Sequence, residues 1–294
     1  MNRRQFLTKS IAAGAVGWTA GGLFANGGID TPENMGELQD FKIQNGRIKQ
    51  TTCGWCYRDF STEELAAHGA KIGLSGLDLT TPDEWPILRK YGLICTMTPS
   101  HDIKVGLNRI KNHEAVCAKI RQSIELTAEA GFPNVICFSG NREGMDDEEG
   151  LENCVTGVKK VIGLAEEKGI ILHMELLNSK VNHKDYMCDH TAWGAELARR
   201  VGSPNFKLLY DIYHMQVQEG DVIATIRKFN EYIGHYHTAG VPGRHELDQT
   251  QELYYPAIME AILETGFQGY VGQEFIPTHD PPLMLNHGVK VCDV

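Results

Sequence analysis

The chain has 294 residues, 42% hydrophobic and 22% charged, enough apolar material for one large domain or two small ones and no compositional sign of disorder. Lys and Arg total 28 against 38 Asp and Glu, a formal charge of −10; an acidic body repels polyphosphate, which argues against nucleic-acid binding. Eight cysteines include a single CxxC pair, Cys53 and Cys56 in CGWC. With no second Cys or His pair at similar spacing a zinc knuckle is excluded, and buried, reduced thiols are expected for most of the eight.

Residues 1–26 read MNRRQFLTKSIAAGAVGWTAGGLFAN, with three bases (Arg3, Arg4, Lys9) and no acids. The Gly/Ala-rich run over residues 11–25 is shorter than the ~20 apolar residues a bilayer span takes. Arg3 and Arg4 followed by Gln5, Phe6 and Leu7 resemble the twin-arginine export signal. That resemblance implies a chain folded in the cytoplasm, then passed by the twin-arginine machinery to the periplasm, and membrane-tethered if the signal is not cleaved. Residues 27–46 carry Gly, Pro, Asn and Asp with little periodicity and are expected to form a linker.

From Ile48 onward short apolar runs alternate with longer amphipathic segments. The first strand, IKQTTCGW, precedes a helix opening at Ser61, where Ser61 and Glu64 form a capping box. LSGLDLT is a second strand, followed by the helical PDEWPILRKYG with Gly92 suited to its C-terminal cap. LICTMTP is the third, before a long helix from Glu114 to Gly131. NVICFSG is the fourth, followed by a helix over about 149–169. IILHMELL is the fifth, with a helix over 191–201. KLLYDIYHM is the sixth, with a helix over 221–232. IGHYHTAG is the seventh, with a helix over 256–266, and YVGQEFIP is the eighth. Eight such units in about 240 residues predict a single (β/α)8 TIM barrel. No GxGxxG loop follows the first strand, which argues against a doubly wound sheet. The barrel is placed at residues 47–285 and a C-terminal tail at 286–294.

Chemistry in such barrels sits at the C-terminal ends of the strands. There the last four strands present Glu175, Asp211, His237 and Glu274, each about one βα unit from the next. A charged residue inside an apolar strand needs a partner, and four on consecutive strands point to one shared site. Three carboxylates and an imidazole suit one divalent ion, Mg2+ or Mn2+ first, with Co2+ or Zn2+ as alternatives.

The strings HMELLNSK, DHTAWGAELARRVGSPNFKLLYDIYHMQ, GHYHTAGVPGRHELD, QELYYPAI and YVGQEF resemble the hydroxypyruvate isomerase family, within the xylose-isomerase-like barrels. The resemblance implies that Glu175 and Glu274 both bind the metal and carry protons, with Asp211 and His237 completing the metal set. It places His214, in DxxH, and Arg244 on the substrate side. The alternative for His214 is a supporting role, and for Arg244 a salt bridge to Glu246 or Asp248. His235 is read as a supporting residue, Asn178 and Glu246 as weaker substrate-side candidates, and His183, Asp189, His190 and Trp193 as shaping the loop after strand five. Where bacterial members of the family usually carry Gln, this chain has His237, which shifts the expectation toward the wider epimerase group. The implied activity is proton transfer through an enediolate on a small hydroxy-keto acid or keto-sugar. A lyase or dehydratase on an oxidised sugar and a non-catalytic exported sugar-binding barrel are the rival readings. A nuclease of the endonuclease IV type needs three zinc ions, and the fourth strand ends CFSGN without the histidine that would help hold them.

Overall fold

The structure, a computed structural model, describes residues 32–294, so the export signal expected at 1–26 lies outside the described residues. Eight parallel strands follow in order: β1 (Lys49–Cys53), β2 (Gly76–Asp78), β3 (Ile94–Met97), β4 (Asn134–Cys137), β5 (Ile171–Leu176), β6 (Phe206–Asp211), β7 (Ile233–Thr238) and β8 (Tyr270–Gln273). They pair as β3-β2-β1-β8-β7-β6-β5-β4. The seam between β3 and β4 is drawn together by Thr98, whose backbone accepts from Ile136 N–H at 3.0 Å and donates to Asn134 O at 2.9 Å. The result is a nearly closed TIM barrel.

The helices are α1 (Pro32–Gln39), α2 (Thr62–Ile72), α3 (Trp85–Lys90), α4 (His113–Glu129), α5 (Asp147–Lys159), α6 (Ile162–Lys168), α7 (Thr191–Val201), α8 (Ile212–Gln218), α9 (Val222–Phe229), α10 (Tyr255–Glu264) and α11 (Pro281–Cys292). Their apolar faces cover the outside of the barrel, where Leu172, Leu208, Tyr236 and Val271 of the strands are buried. The Ser61 capping box forms in full, with Glu64 N–H donating to Ser61 Oγ and Ser61 N–H to the Glu64 carboxylate. All eight cysteines are free and buried.

Four boundaries differ from expectation. The helix expected over 149–169 is two helices, α5 and α6, and the break leaves the Lys160 carbonyl to accept from Arg121 at 2.8 Å. The sixth strand stops at Asp211, whose carboxylate caps α8 by accepting from His214 N–H at 3.0 Å. His214 therefore lies on a helix. The expected linker at 27–46 contains α1, with Leu38 and Phe41 buried. The expected tail at 286–294 is mostly the second half of α11, with Gly288, Val289 and Cys292 buried. Asp293 then accepts from the backbone N–H groups of Gln44, Asn45 and Gly46 at 2.7, 3.1 and 2.9 Å, which ties the end of the chain to the approach to β1.

Candidate active site at the strand ends

Strand alternation sends every second side chain into the barrel lumen. On the last four strands this brings Glu175 (β5), Asp211 (the last residue of β6), His237 (β7) and Glu274 (just past β8) to one end. All four are buried, and one ligand atom from each lies within 4.8 Å of all the others. His237 Nδ1 stands 2.8 Å from Glu274 Oε2 and 3.8 Å from Glu175 Oε1. On its far side, His237 Nε2 lies 3.0 Å from Asp78 Oδ2.

Arg244 enters the cluster from the loop after β7, where its left-handed backbone (φ 63°) follows Gly243. Its Nη2 donates to Glu274 Oε2 at 2.6 Å and to Asp211 Oδ2 at 3.3 Å. Pairing with Glu246 or Asp248 is not what the fold provides. Glu246 instead accepts from His279 N–H at 3.0 Å and from Thr278, holding the loops after β7 and β8 together. The Arg244 guanidinium lies 5.2 Å from the Trp55 ring and 5.4 Å from the Tyr213 ring, a cation–π sandwich that holds it against the carboxylates. His214 is fully buried between Arg244 Nη1, 2.9 Å from its Nε2, and the Asn178 amide, 2.6 Å from its Nδ1. Both ring nitrogens are thus engaged by protein groups. Asp189 pairs with Arg142 and His190, and Trp193 donates to Asp147 O, so these residues order the loops outside the cluster.

Two residues at the site were missed in the sequence. Trp55, just after β1, donates Nε1–H to Glu274 Oε1 at 2.9 Å. Asp78, the last residue of β2, receives His235 and His237. Both obey the strand-end rule that singled out the other four; Asp78 in particular is a carboxylate in a buried strand.

Three buried carboxylates face one guanidinium and one imidazole, and their ionisation is accordingly uneven. Burial pushes Asp211 up to about 7 against the pull of Arg244. Burial likewise raises Glu175, despite His237 beside it. Burial acts upward on Glu274 too, but His237 and Arg244 outweigh it and hold that carboxyl well below the usual range. Burial opposes a charge on His237, and the Glu274 carboxylate reverses this, raising it well above the ordinary histidine value.

The residues fit a divalent cation. Their oxygens and one imidazole nitrogen form a hard-to-borderline donor set, in which three carboxylates face two cationic partners, Arg244 and His237. His237 Nδ1 is buried and points into the cluster, 2.8 Å from Glu274 Oε2 and 3.8 Å from Glu175 Oε1. A cavity of about 880 Å³ lies elsewhere, between the loop after β7 and α11, and contains none of the four residues. A smaller one of about 290 Å³ opens beside Trp55, Leu79 and Thr80 at the barrel mouth. The concentration of buried charge locates the site, because such charge is costly unless it is used or paired.

The fold and the cluster together define a (β/α)8 barrel with its ionisable residues gathered at the C-terminal strand ends, where chemistry sits in such barrels. Within that class the chain belongs to the Xylose isomerase-like TIM barrel family, whose family model matches residues 85–292. It is 26% identical over 201 residues to the human protein named "Putative hydroxypyruvate isomerase", a match covering 64% of this chain and 71% of the relative. It is 28% identical over 221 residues to the 2-oxo-tetronate isomerase of Haemophilus influenzae, covering 71% and 85%. Among solved structures, an AP endonuclease, family 2, from Brucella melitensis superposes with a TM-score of 0.73 at 22% identity, covering 81% of this chain and 97% of that one; at that identity the likeness is one of fold. The names of the sequence relatives support an isomerase.

Proposed function

We propose that the chain is a divalent-metal-dependent isomerase or epimerase that moves a proton between adjacent carbons of a small hydroxy-keto acid or keto-sugar, and that it works outside the cytoplasm. The observation that carries the reading is the convergence of three buried carboxylates and the imidazole of His237 within 4.8 Å at the strand ends. Glu175, Asp211, His237 and Glu274 would hold the ion, with Mg2+ or Mn2+ best matched to the donors. When bound, a divalent ion supplies Lewis acidity that makes the C–H beside a substrate carbonyl more acidic.

The two glutamates divide the proton transfer. One carboxylate removes the proton and the other returns one to the neighbouring carbon or the opposite face, each as a general base and then acid. The glutamates differ in a useful sense: Glu274 is held ionised by Arg244 and His237, while burial raises the basicity of Glu175. Arg244 offers a fixed positive charge and its remaining Nη1–H to a substrate carboxylate, and His214, itself bonded to Asn178, holds it in place. Apolar rings of Trp55 and Tyr213 flank it.

The direct test is a screen of small hydroxy-keto acids and keto-sugars in deuterated buffer with Mn2+, reading deuterium at the carbon beside the carbonyl. Uptake that chelator abolishes and Mn2+ restores is expected. Tight sugar binding with no exchange across the set would instead favour the binding-protein reading, and release of an elimination product a lyase. Residues 1–26 support export. Replacing Arg3 and Arg4 by Lys together is expected to keep the full chain in the cytoplasmic fraction; unchanged export of that variant would remove the twin-arginine assignment.

A further inference from the structure

Beneath the four clustered residues the lumen holds a second polar layer. Asp78 is fully buried there and accepts on both oxygens. Its Oδ2 receives His235 Nε2 at 2.8 Å and His237 Nε2 at 3.0 Å. Its Oδ1 receives the hydroxyls of Thr51, at 3.3 Å, and Thr96. The carboxylate has room only because residue 272, facing it from β8, is glycine. A Cβ at Gly272 would stand 2.6 Å from Asp78 Oδ2 and 2.9 Å from His237 Cδ2, inside the closest approach such atoms tolerate.

A neutral imidazole carries one N–H, and the hydrogen bond made by one nitrogen decides which lone pair the other presents. We propose that Asp78 is a positioning residue for the cation centre, an inference that rests on reading the cluster as one. By accepting from His237 Nε2–H it keeps the proton on that nitrogen and turns the Nδ1 lone pair toward Glu175, Asp211 and Glu274. Gly272 is the residue that leaves it space. His235, on the same Oδ2, holds the carboxylate in place from below. Carboxylates in this relation to a ligating imidazole set both its orientation and its donor strength.

A rival reading uses the same atoms. Cys53, Asp78 and His237 also lie within 4.8 Å of one another, with Cys53 Sγ 3.8 Å from His237 Nε2. A second ion there would bind Nε2 itself and displace its proton, so Asp78 would be a ligand and would position nothing.

The test uses the full chain freed of metal, titrated with MnCl2 by calorimetry, with unfolding followed by circular dichroism. The wild type is expected to bind one Mn2+, and Asp78→Asn and Gly272→Ala to bind it about 10–100-fold more weakly while still folding. Nitrogen-15 spectra of the histidine rings, taken at alkaline pH where the raised His237 is neutral and with its signals identified by their loss in His237→Gln, should show a protonated Nε2 and an unprotonated Nδ1 in the wild type. In Asp78→Asn the two forms should mix, a change that loss of packing alone would not produce. If Asp78→Asn does not fold, Gly272→Ala and the wild-type spectrum decide the matter. Wild-type affinity in both variants overturns the positioning role while leaving the metal centre standing. Two Mn2+ per chain, one of them lost in Cys53→Ser, overturns it in favour of a second ion. No Mn2+ binding by the wild type overturns the metal centre and this inference together.

Discussion

Glu175→Gln and Glu274→Gln are each expected to lower metal-dependent deuterium exchange into substrate by ~10²–10⁴-fold, the usual contribution of a positioned general acid–base. The change is nearly isosteric. In Glu274→Gln the amide oxygen can accept from Trp55 Nε1–H or Arg244 Nη2–H but not both, so folding of this variant is checked by circular dichroism before its loss of proton-carrying capacity is read. Because both residues also belong to the proposed ligand set, exchange should be measured across a range of Mn2+ concentrations. A defect that persists at saturating Mn2+ belongs to proton transfer, and one that disappears belongs to binding. Full exchange at saturation in either variant would remove the scheme of two proton-carrying carboxylates. Glu246→Gln is the useful contrast, since its carboxylate ties Thr278 and His279 and lies outside the cluster; it should retain the exchange reaction.

Arg244→Met should show the second large effect, on stability. Arg244 is buried against Glu274, at 2.6 Å, and Asp211, at 3.3 Å. Removing one partner of a buried charge pair leaves the other uncompensated, a loss of about 3–5 kcal/mol. A divalent ion among the same carboxylates restores positive charge, so the variant without metal should melt well below the wild type and recover most of the difference on adding MnCl2. The variant, freed of a guanidinium that competes for the same carboxylates, should bind Mn2+ more tightly and so gain more than the wild type, which gains about 2.7 kcal/mol at a hundredfold excess over its own Kd. Scanning calorimetry of both chains with and without Mn2+ checks this. An equal deficit in the two conditions would show that Arg244 contributes through packing on Trp55 and Tyr213 and not through its charge. Turnover should remain low in the variant even with metal, because the guanidinium is also the donor proposed to meet the substrate.

Much of the barrel was legible because parallel strands buried on both faces must be apolar, and the helices between them must be apolar on one face only. That is why eight units, the Ser61 capping box and the helix over 191–201 could be read directly. Boundaries failed where local pattern competes with tertiary contact. IYHM after Asp211 is as apolar as a strand, yet Asp211 caps it as a helix, and only the three-dimensional position of that carboxylate reveals the cap. Residues 36–46 and 286–294 look like loose ends in one dimension; Asp293 joins them through hydrogen bonds that span 247 to 249 residues of chain.

The candidate site divides in the same way. Glu175, Asp211, His237 and Glu274 were identifiable from the chain alone, because an ionisable residue at the end of a buried strand is expensive and the βα repeat places each such end on the same rim. Their convergence within 4.8 Å follows from closure of the barrel. What tertiary structure alone decided is which groups meet those four. Arg244 turns to Asp211 and Glu274 because a left-handed residue in its loop aims it there, although Glu246 and Asp248 are its neighbours in sequence. Trp55 and Asp78 come from the ends of β1 and β2, 219 and 159 residues from Glu274 and His237, the partners they meet, and Gly272 matters only through the atom it lacks. Sequence spacing carries the period of the strands, and hence the ring of ionisable side chains; the contacts across that ring depend on distances that no local pattern encodes.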